Sequence, residues 1–414
     1  MNIYFCIIVS VLLVDFFLNT LAKILDLKNL SINLPVEFKG YYSKEKYARS
    51  QEYLNENTRF SYITSSFDLF VILLVITLGL FNTIDHWVRG FECSPVITGL
   101  IFFGVLFFIQ DIISTPFSLY KIFVIEEKFG FNKTSLRTYV LDKIKSYLLI
   151  LILGSIILSS LLYFFESYSN LAWLYAWIVI SGFLILIQPL FTLLIAPLFN
   201  TFTPLQDGEL KRGIKKYVEK VDFPISRIDV MDGSLRTSKS NAYFSGIGKN
   251  KRIALFDTLI EKHNIDELIS IIAHEIGHYK NKHNIKMIVL GVIQTGFMFF
   301  MFSIFLNNPK LFAAFKMENL SIYGSLLFFT LLYSPIELIM SFVGNNISRK
   351  HEFEADAFAC KSIGTSIHLI EGLKKLTVTS LGNLTPHPLT VCMSYSHPPI
   401  LDRIHALKSQ IDVS

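Results

Sequence analysis

The sequence predicts a mainly α-helical membrane protein, a bundle of seven spans that carries two polar regions outside the bilayer. Three observations lead to this fold class. Of the 414 residues, 52% are hydrophobic and only 17% are charged, whereas a soluble globular chain carries about 25% charged residues. The mean hydropathy is +0.47. The apolar residues are concentrated in seven runs, each long enough for the roughly 20-residue helix that a bilayer requires.

The seven apolar runs predict the positions of the spans. They lie at about 3–25, 61–82, 96–123, 146–164, 171–199, 285–306 and 320–345. The first run contains Asp15 and has neither a basic segment before it nor a cleavage site of small residues. We therefore interpret it as a spanning helix and not as a signal peptide.

The distribution of lysine and arginine predicts the orientation of the bundle. The connections at 26–60 and 124–145 are rich in these residues, whereas those at 83–95, 165–170 and 307–319 are poor in them. Because connections rich in positive charge remain in the cytoplasm, we expect the N-terminus outside and both polar regions inside.

This pattern divides the chain into four parts. Residues 1–199 form a five-span membrane region, and residues 200–284 form a polar region with helices and short strands. Two further spans at 285–345 separate it from a second, mostly helical polar region at 346–414. If the two polar regions share one site, the fold must bring them together.

Charged side chains also occur inside the predicted spans. Asp15, Asp68, Asp111 and Glu337 lie within apolar runs. Ionisable groups at membrane depth usually face protein or water and not lipid. We interpret them either as contacts between helices or as the lining of a wet interior, a feature that a transporter would share.

Charge and cysteine content exclude two other classes. The net charge of +5 comes without a basic patch interleaved with exposed aromatic residues, so we expect no nucleic-acid partner. The four cysteines are scattered, without a CxxC pair, and predict neither a disulfide framework nor a cysteine-based metal site. The lipid bilayer is the partner that composition indicates.

The first polar region contains the sequence His274-Glu275-Ile276-Gly277-His278 on a predicted helix. Two histidines four residues apart lie on one helical face, so both imidazoles can reach a single ion. Glu275 projects beside them, where it can accept the proton of an attacking water. The pattern predicts one catalytic zinc per chain. The alternative is a pair of surface histidines at the end of a charged helix.

A catalytic zinc requires three protein ligands and one open position, so one ligand must come from elsewhere in the chain. His351, Glu352, Glu354 and Asp356 follow the last span, and each could bind a metal. Glu352 and Asp356 share a helical face, with Glu354 on the opposite side. We assign Glu352 as the third ligand and Asp356 as the carboxylate that accepts the free N–H of a ligating histidine. A plain amphipathic helix is the alternative.

The segment 241–256 predicts two strands around a glycine turn. An exposed edge there could bind an extended peptide through main-chain hydrogen bonds. The candidate substrate-binding residues are Asn241, Ala242 and Tyr243. A buried internal hairpin is the alternative.

Several motifs occur in a fixed order along the chain. They are Asn241-Ala242-Tyr243-Phe244, Leu255-Phe256-Asp257-Thr258-Leu259, the histidine motif at 274–278, Glu352-Phe353-Glu354-Ala355-Asp356 and Ser396-His397-Pro398-Pro399, with 123–132 and 196–200 upstream. This ordered set resembles the motifs of the CaaX prenyl protease 1 family and covers nearly the whole chain.

The resemblance implies a gluzincin-type zinc metalloendopeptidase. A ring of helices would enclose a water-filled chamber, with a zincin-like α+β catalytic region on the cytoplasmic side. The family's zinc ligands correspond to His274, His278 and Glu352, and its general base corresponds to Glu275. Its substrate-edge asparagine corresponds to Asn241.

The resemblance also singles out two residues near the C-terminus. The family's histidine and arginine correspond to His397 and Arg403. We expect His397 to stabilise the oxyanion, and Arg403 to orient His397 or to meet a substrate carboxylate. For His397, the alternative is a histidine that only begins a helix before two prolines.

The expected substrates are lipidated or membrane-associated peptides and proteins, cleaved as by a CaaX-type prenyl protease. One alternative is a quality-control endopeptidase of the HtpX-like kind, and a less favoured one is a transporter-like protein without catalysis. The short connection at 307–319, together with a tail that lacks a dilysine signal, favours a bacterial inner membrane. In a eukaryote we would expect the endoplasmic reticulum membrane.

Overall fold

The predicted spans coincide with long helices. The computed structural model describes residues 2–31, 33–168, 170–247 and 250–409. Within these ranges, seven helical segments are long and apolar enough to cross a membrane: Ile3–Lys28, Lys44–Leu78, Pro95–Glu126, Leu136–Ser167, Ala172–Phe199, His283–Phe305 and Ile322–Ile363.

The individual helices follow in chain order. They are α1 (Ile3–Lys28), α2 (Lys44–Leu78), α3 (Leu80–Arg89), α4 (Pro95–Tyr120), α5 (Leu136–Leu149), α6 (Ser155–Ser167), α7 (Ala172–Leu190), α8 (Ala196–Phe199), α9 (Glu209–Lys220), α10 (Asp257–Lys262), α11 (Ile265–Lys280), α12 (His283–Phe305), α13 (Pro309–Ala314), α14 (Ile322–Ile363), α15 (Ile367–Thr379), α16 (Pro388–Ser394) and α17 (Ile400–Ser409). Turns of π-helix continue α4, α5 and α7 at Lys121–Glu126, Ile150–Gly154 and Phe191–Ile195.

The ends of the second and seventh spans differ from the sequence prediction. Helix α2 ends at Leu78 and not at 82, because Gly79 adopts the left-handed conformation (φ 69°) that ends a helix. It also begins at Lys44 and not at 61, and α14 continues to Ile363 and not to 345. Hydropathy detects only the apolar turns of such helices, whereas main-chain hydrogen bonding continues through their polar turns.

A small mixed sheet lies in the first polar region. Its strands are β1 (Phe202–Pro204), β2 (Arg227–Met231), β3 (Ala242–Ile247) and β4 (Asn250–Phe256). The order is β1-β2-β4-β3, with β2 and β4 parallel and the other neighbours antiparallel. Strand β3 therefore forms an edge of this sheet.

Buried apolar side chains form two clusters among the described residues. The membrane core packs the spanning helices together and includes Ile8, Phe102, Leu162, Phe302 and Phe328. The catalytic core joins β2, β4, α11, α14 and α17 through Ile228, Leu255, Ile272, Ala359 and Ile404. The two polar regions, separated in sequence by two spans, thus share one core.

Cavities lie between the spanning helices. One of about 620 Å³ is lined by Asp15, Asp68 and Gln110, and another of about 410 Å³ is lined by Glu337. Asp111 instead pairs with Lys143, whose Nζ lies 2.8 Å from its carboxylate. Three of these acids thus line cavities, whereas the fourth makes a contact between helices; the wet interior stays a prediction.

Candidate active site

Helix α11 begins with a capping box and buries one face in the catalytic core. The Asn264 side chain accepts a hydrogen bond from the Glu267 N–H at 2.9 Å, and the Glu267 carboxylate accepts one from the Asn264 N–H at 3.1 Å. Ile272, Ala273 and Ile276 lie in the core. This burial fixes the rotation of the helix and hence the direction of its histidines.

A glycine allows α14 to approach α11 closely. A Cβ atom added at Gly277 would lie 2.9 Å from the carbonyl oxygen of Ala355. A larger side chain there would push the two helices apart. The close approach brings Glu352 of α14 next to the histidines of α11.

The three predicted ligands converge. The Nε2 atoms of His274 and His278 are 3.1 Å apart. Oε2 of Glu352 lies 3.4 Å from Nε2 of His274, and Oε1 of the same carboxylate lies 3.2 Å from Nε2 of His278. His274 and Glu352 are buried, whereas His278 is partly exposed. One donor atom from each of the three side chains lies within 4.8 Å of the other two, and these atoms form a compact triangle.

This triangle fits a tetrahedral zinc ion. Ligand atoms about 2.0–2.1 Å from zinc in a tetrahedral arrangement lie about 3.3–3.4 Å from each other, close to the separations between these donors. Oxygen Oε2 of Glu352 is buried and has no well-aligned hydrogen bond from a described residue, although the Arg403 guanidinium lies 3.4 Å away. A buried carboxylate oxygen without a donor is costly unless a cation neutralises it. The donor set and its spacing therefore suit a metal.

Glu275 lines the same small cavity as His274 and Glu352. The cavity measures about 130 Å³, and its lining includes His274, Glu275, Glu352, His397 and Arg403. Burial raises the pKa of Glu275 above its ordinary value. A carboxylate with a raised pKa is a stronger base, which suits a group that accepts a proton.

His274 is held from behind by a carboxylate. Its Nδ1 lies 2.8 Å from Asp356, which also accepts hydrogen bonds from the Arg403 guanidinium at 2.7 and 2.8 Å. Burial disfavours the charged imidazole, but the nearby carboxylates of Asp356 and Glu352 outweigh it and raise the pKa of His274 to about 9. The same negative field would favour a divalent cation at Nε2.

The other two residues considered for the third ligand point away from the triangle. Glu354 lies 2.9 Å from Nε2 of His283, and the His351 ring stacks on the His283 ring. His283 also contacts His278 through their Nδ1 atoms, 3.0 Å apart. The sequence analysis missed His283; the available signal was a third histidine just after the motif, at the start of the next span.

The substrate-binding candidates fall on both faces of the edge strand. Asn241 and Ala242 line the 130 Å³ cavity. Ala242 pairs with Leu255 and Tyr243 with Ala254. Because side chains alternate along a strand, Tyr243 lies on the face away from Ala242 and from the core that Ala242 contacts. Only the first two candidates are brought to the cavity.

The two C-terminal candidates differ in their contacts. Nε2 of His397 lies 3.3 Å from Glu352, and the His397 side chain is 65% exposed. Arg403 is buried and donates to Asp356. Arg403 thus contacts the carboxylate behind His274, a partner that sequence separation could not reveal, and its role in orienting His397 or meeting a substrate carboxylate stays a prediction.

Together, the spanning helices and the His-Glu-His-Glu constellation define a class, the multi-pass membrane metalloproteases. Residues 23–201 match the model of a CAAX prenyl protease N-terminal region with five membrane helices, and residues 204–411 match that of peptidase family M48. The chain belongs to the CAAX prenyl protease 1 family.

Individual relatives agree with this family. The chain is 34% identical to CAAX prenyl protease 1 of Saccharomyces cerevisiae, over 90% of this chain and 88% of the relative. It is 31% identical to the Homo sapiens CAAX prenyl protease 1 homolog, over 91% of this chain and 89% of the relative. The crystal structure of S. mikatae Ste24p matches with a TM-score of 0.94 at 31% identity, covering 98% of this chain and 99% of that one. The predicted family, fold class and metalloprotease activity are confirmed.

Proposed function

We propose that this metalloprotease is a zinc endopeptidase with one zinc per chain, held by His274, His278 and Glu352. Its substrates are lipidated or membrane-associated peptides, in keeping with the names of its relatives. The observation that carries the proposal is the convergence of the three metal-binding side chains beside a cavity that Glu275 lines together with two of them, His274 and Glu352, next to an edge strand.

The proposed mechanism assigns separate tasks to the chain's own residues. A zinc ion at this site would supply Lewis-acid activation of the water and of the scissile carbonyl. Glu275 accepts the proton of the attacking water and then delivers it to the departing amine. His397, exposed at the cavity beside Glu352, donates a hydrogen bond to the developing oxyanion. Asp356 and Arg403 keep the His274 ring in its ligating orientation.

The edge strand supports binding of an extended peptide. The Phe256 N–H donates to the Asn241 carbonyl across the β3–β4 pair. Along an antiparallel strand, the main-chain N–H and C=O groups of successive residues point alternately toward the paired strand and away from it. Asn241 points its groups toward β4, so Ala242 directs its N–H and C=O to the free edge of β3. The Asn241 side-chain oxygen accepts from this N–H at 2.9 Å, and a substrate carbonyl would replace it.

The cavity wall supports an apolar substrate side chain. Beside the polar residues, the lining is aliphatic: Leu259, Ile271, Leu369, Leu373 and Leu376. Apolar surface of this kind gains about 25 cal/mol per Å² when a substrate covers it. We therefore propose cleavage next to aliphatic residues, with no charged side chain accepted at this position.

The proposed location follows from the charge distribution. We propose that the catalytic core faces the cytoplasm, in a bacterial inner membrane, with the endoplasmic reticulum membrane as the alternative because the relatives named above are eukaryotic. Topology reporters fused at about 55, 135, 215 and 400 should report cytoplasm, and those at 88, 168 and 312 the opposite side. An outside signal at 215 and 400 would reverse the proposed orientation.

Glu275→Gln tests the proposed reaction. The purified wild type and variant are placed in liposomes with a prenylated peptide ending in aliphatic residues and with the same peptide lacking the lipid. Cleavage should fall by about 10²–10⁴-fold, with zinc retained. Glu261→Gln, at an exposed position, is the matched control and should cleave normally.

The two peptides separate the substrate classes. Faster cleavage of the prenylated peptide supports the prenyl protease role. Equal cleavage of both would favour the quality-control endopeptidase, since recognition would then rest on the main chain alone. Undiminished cleavage by Glu275→Gln would contradict the proposed mechanism.

A further inference from the structure

The chain reverses direction between the catalytic helix and the next span. Helix α11 ends at Lys280, and Lys282 adopts the left-handed conformation with φ 57°. This conformation is uncommon for a residue with a side chain. It allows α12 to begin at His283 with its imidazole, only 2% exposed, turned back against His278.

Metal binding by His278 would set the direction of the hydrogen bonds at His283. Nε2 of His278 faces His274 and Glu352, so its other nitrogen carries the proton when the ring binds a metal. That nitrogen, Nδ1, lies 3.0 Å from Nδ1 of His283 and donates to it. His283 then carries its own proton on Nε2, which donates to Glu354 at 2.9 Å.

The same residues could suggest a second metal site. One donor atom each from His283, His351 and Glu354 lie within 4.8 Å of one another. However, the two imidazole rings stack with centroids 4.0 Å apart and an angle of 9°. A ring nitrogen binds a metal in the plane of its ring, and two parallel planes at this spacing cannot both contain one ion. His351 therefore supports the His283 ring by stacking.

We propose that His283 is a positioning residue for the metal ligand His278, and that Glu354 fixes the proton of His283 on Nε2. This inference rests on the proposed zinc site. It gives each ligating histidine a carboxylate of α14 behind it. Asp356 contacts His274 directly, whereas Glu354 reaches His278 through His283.

Zinc affinity of the purified full-length protein tests the proposal, measured by competition with a chelator. His283→Leu and Glu354→Ala should each weaken zinc binding by about 10–100-fold. His283→Asn can present an oxygen in place of Nδ1 and should recover much of the loss. A merely structural role would lower the melting temperature of the metal-free protein without this recovery. Glu354 is partly exposed, so its variant should fold.

His351→Phe is the matched control. It keeps a ring for stacking but removes both nitrogens, so zinc affinity and a stoichiometry of one should be unchanged. Two zinc ions in the wild type, with one lost in His351→Phe, would overturn the proposal in favour of a second metal site. Wild-type affinity in both His283→Leu and Glu354→Ala would overturn it as well.

His274→Ala distinguishes failure of the positioning role of His283 from failure of the proposed zinc site. If this variant loses zinc while the His283 and Glu354 variants bind it as the wild type does, only the positioning role fails. If His274→Ala retains zinc, the proposed zinc site itself fails, and the positioning role fails with it.

Discussion

The polar side chains around the metal-binding triangle and those at the largest described membrane cavity mentioned above, of about 620 Å³, differ in what they contact. Around the metal-binding triangle, polar groups are bonded to each other, as in the contacts of Asp356 with His274 and Arg403. Between the spans, Asp68 instead lines this cavity. Bonded groups hold atoms at defined positions, whereas groups that line a cavity set the polarity of a space.

The physical basis of this difference is the surrounding medium. Inside a packed core, a hydrogen bond to a charged group contributes about 1.5–3 kcal/mol, and a partner left alone costs a similar amount. A polar group that faces a wet cavity can bond to water and loses little when it is replaced. We therefore expect substitutions in the bonded catalytic region to have much larger effects than those at the membrane cavity.

The largest effect is expected at the metal ligands. His274→Ala, His278→Ala or Glu352→Ala should abolish zinc binding and peptide cleavage, because three protein ligands are required. Metal analysis of the purified variants checks the first effect and peptide hydrolysis the second. A chelator should inactivate the wild type, and added zinc should restore it. Full zinc content in Glu352→Ala would move the third ligand to another residue.

A smaller effect is expected at Asp356, which contacts the metal ligand His274 and not the metal itself. Asp356→Ala should reduce zinc affinity or kcat/KM by about 10–100-fold, because His274 loses its acceptor and Arg403 loses its partner. Asp402→Ala, at an exposed position on α17, is the control and should resemble the wild type. An unaffected Asp356→Ala would mean that the contact with His274 does not support the metal.

The sequence predicted the parts of the site that depend on local geometry. His274 and His278 share a face because they are four residues apart on one helix, and the same argument paired Glu352 with Asp356. It could not predict that Arg403 meets Asp356, since that contact depends on how α14 and α17 pack. His283 was missed because its position depends on a chain reversal at Lys282, where a left-handed conformation is unusual.

The same distinction holds for the fold. Seven spans follow from hydropathy, because the bilayer imposes a length on apolar helices. The polar extension of α14 to Ile363 does not, although it carries Glu352 and Asp356. The edge position of β3 depends on the order of the strands in the sheet, which alternation of side chains along one strand does not determine.

At the substrate edge, a moderate effect is expected from a single main-chain hydrogen bond. Ala242→Pro removes the outward N–H, and proline is tolerated on edge strands. Losing one such bond of about 1 kcal/mol corresponds to about a fivefold loss in kcat/KM for an extended peptide. Ala242→Val keeps the N–H and serves as the control. Equal kinetics for the two variants would show that the substrate does not pair with this edge.

The smallest effect is expected at the membrane cavity, where Asp68 can be compared with Asp111, an acid of the membrane region that is bonded to a lysine. Asp68 lines the cavity, so Asp68→Asn should change the free energy of unfolding by no more than about 0.5 kcal/mol. Asp111→Asn should cost about 1.5–3 kcal/mol, because it weakens the charged contact with Lys143 at 2.8 Å. Thermal unfolding of both variants in the same lipid provides the measurement. Equal destabilisation by Asp68→Asn and Asp111→Asn would contradict this prediction. It would show that a charged contact such as the one with Lys143 does not determine the cost of replacing an acid, and that depth in the membrane does.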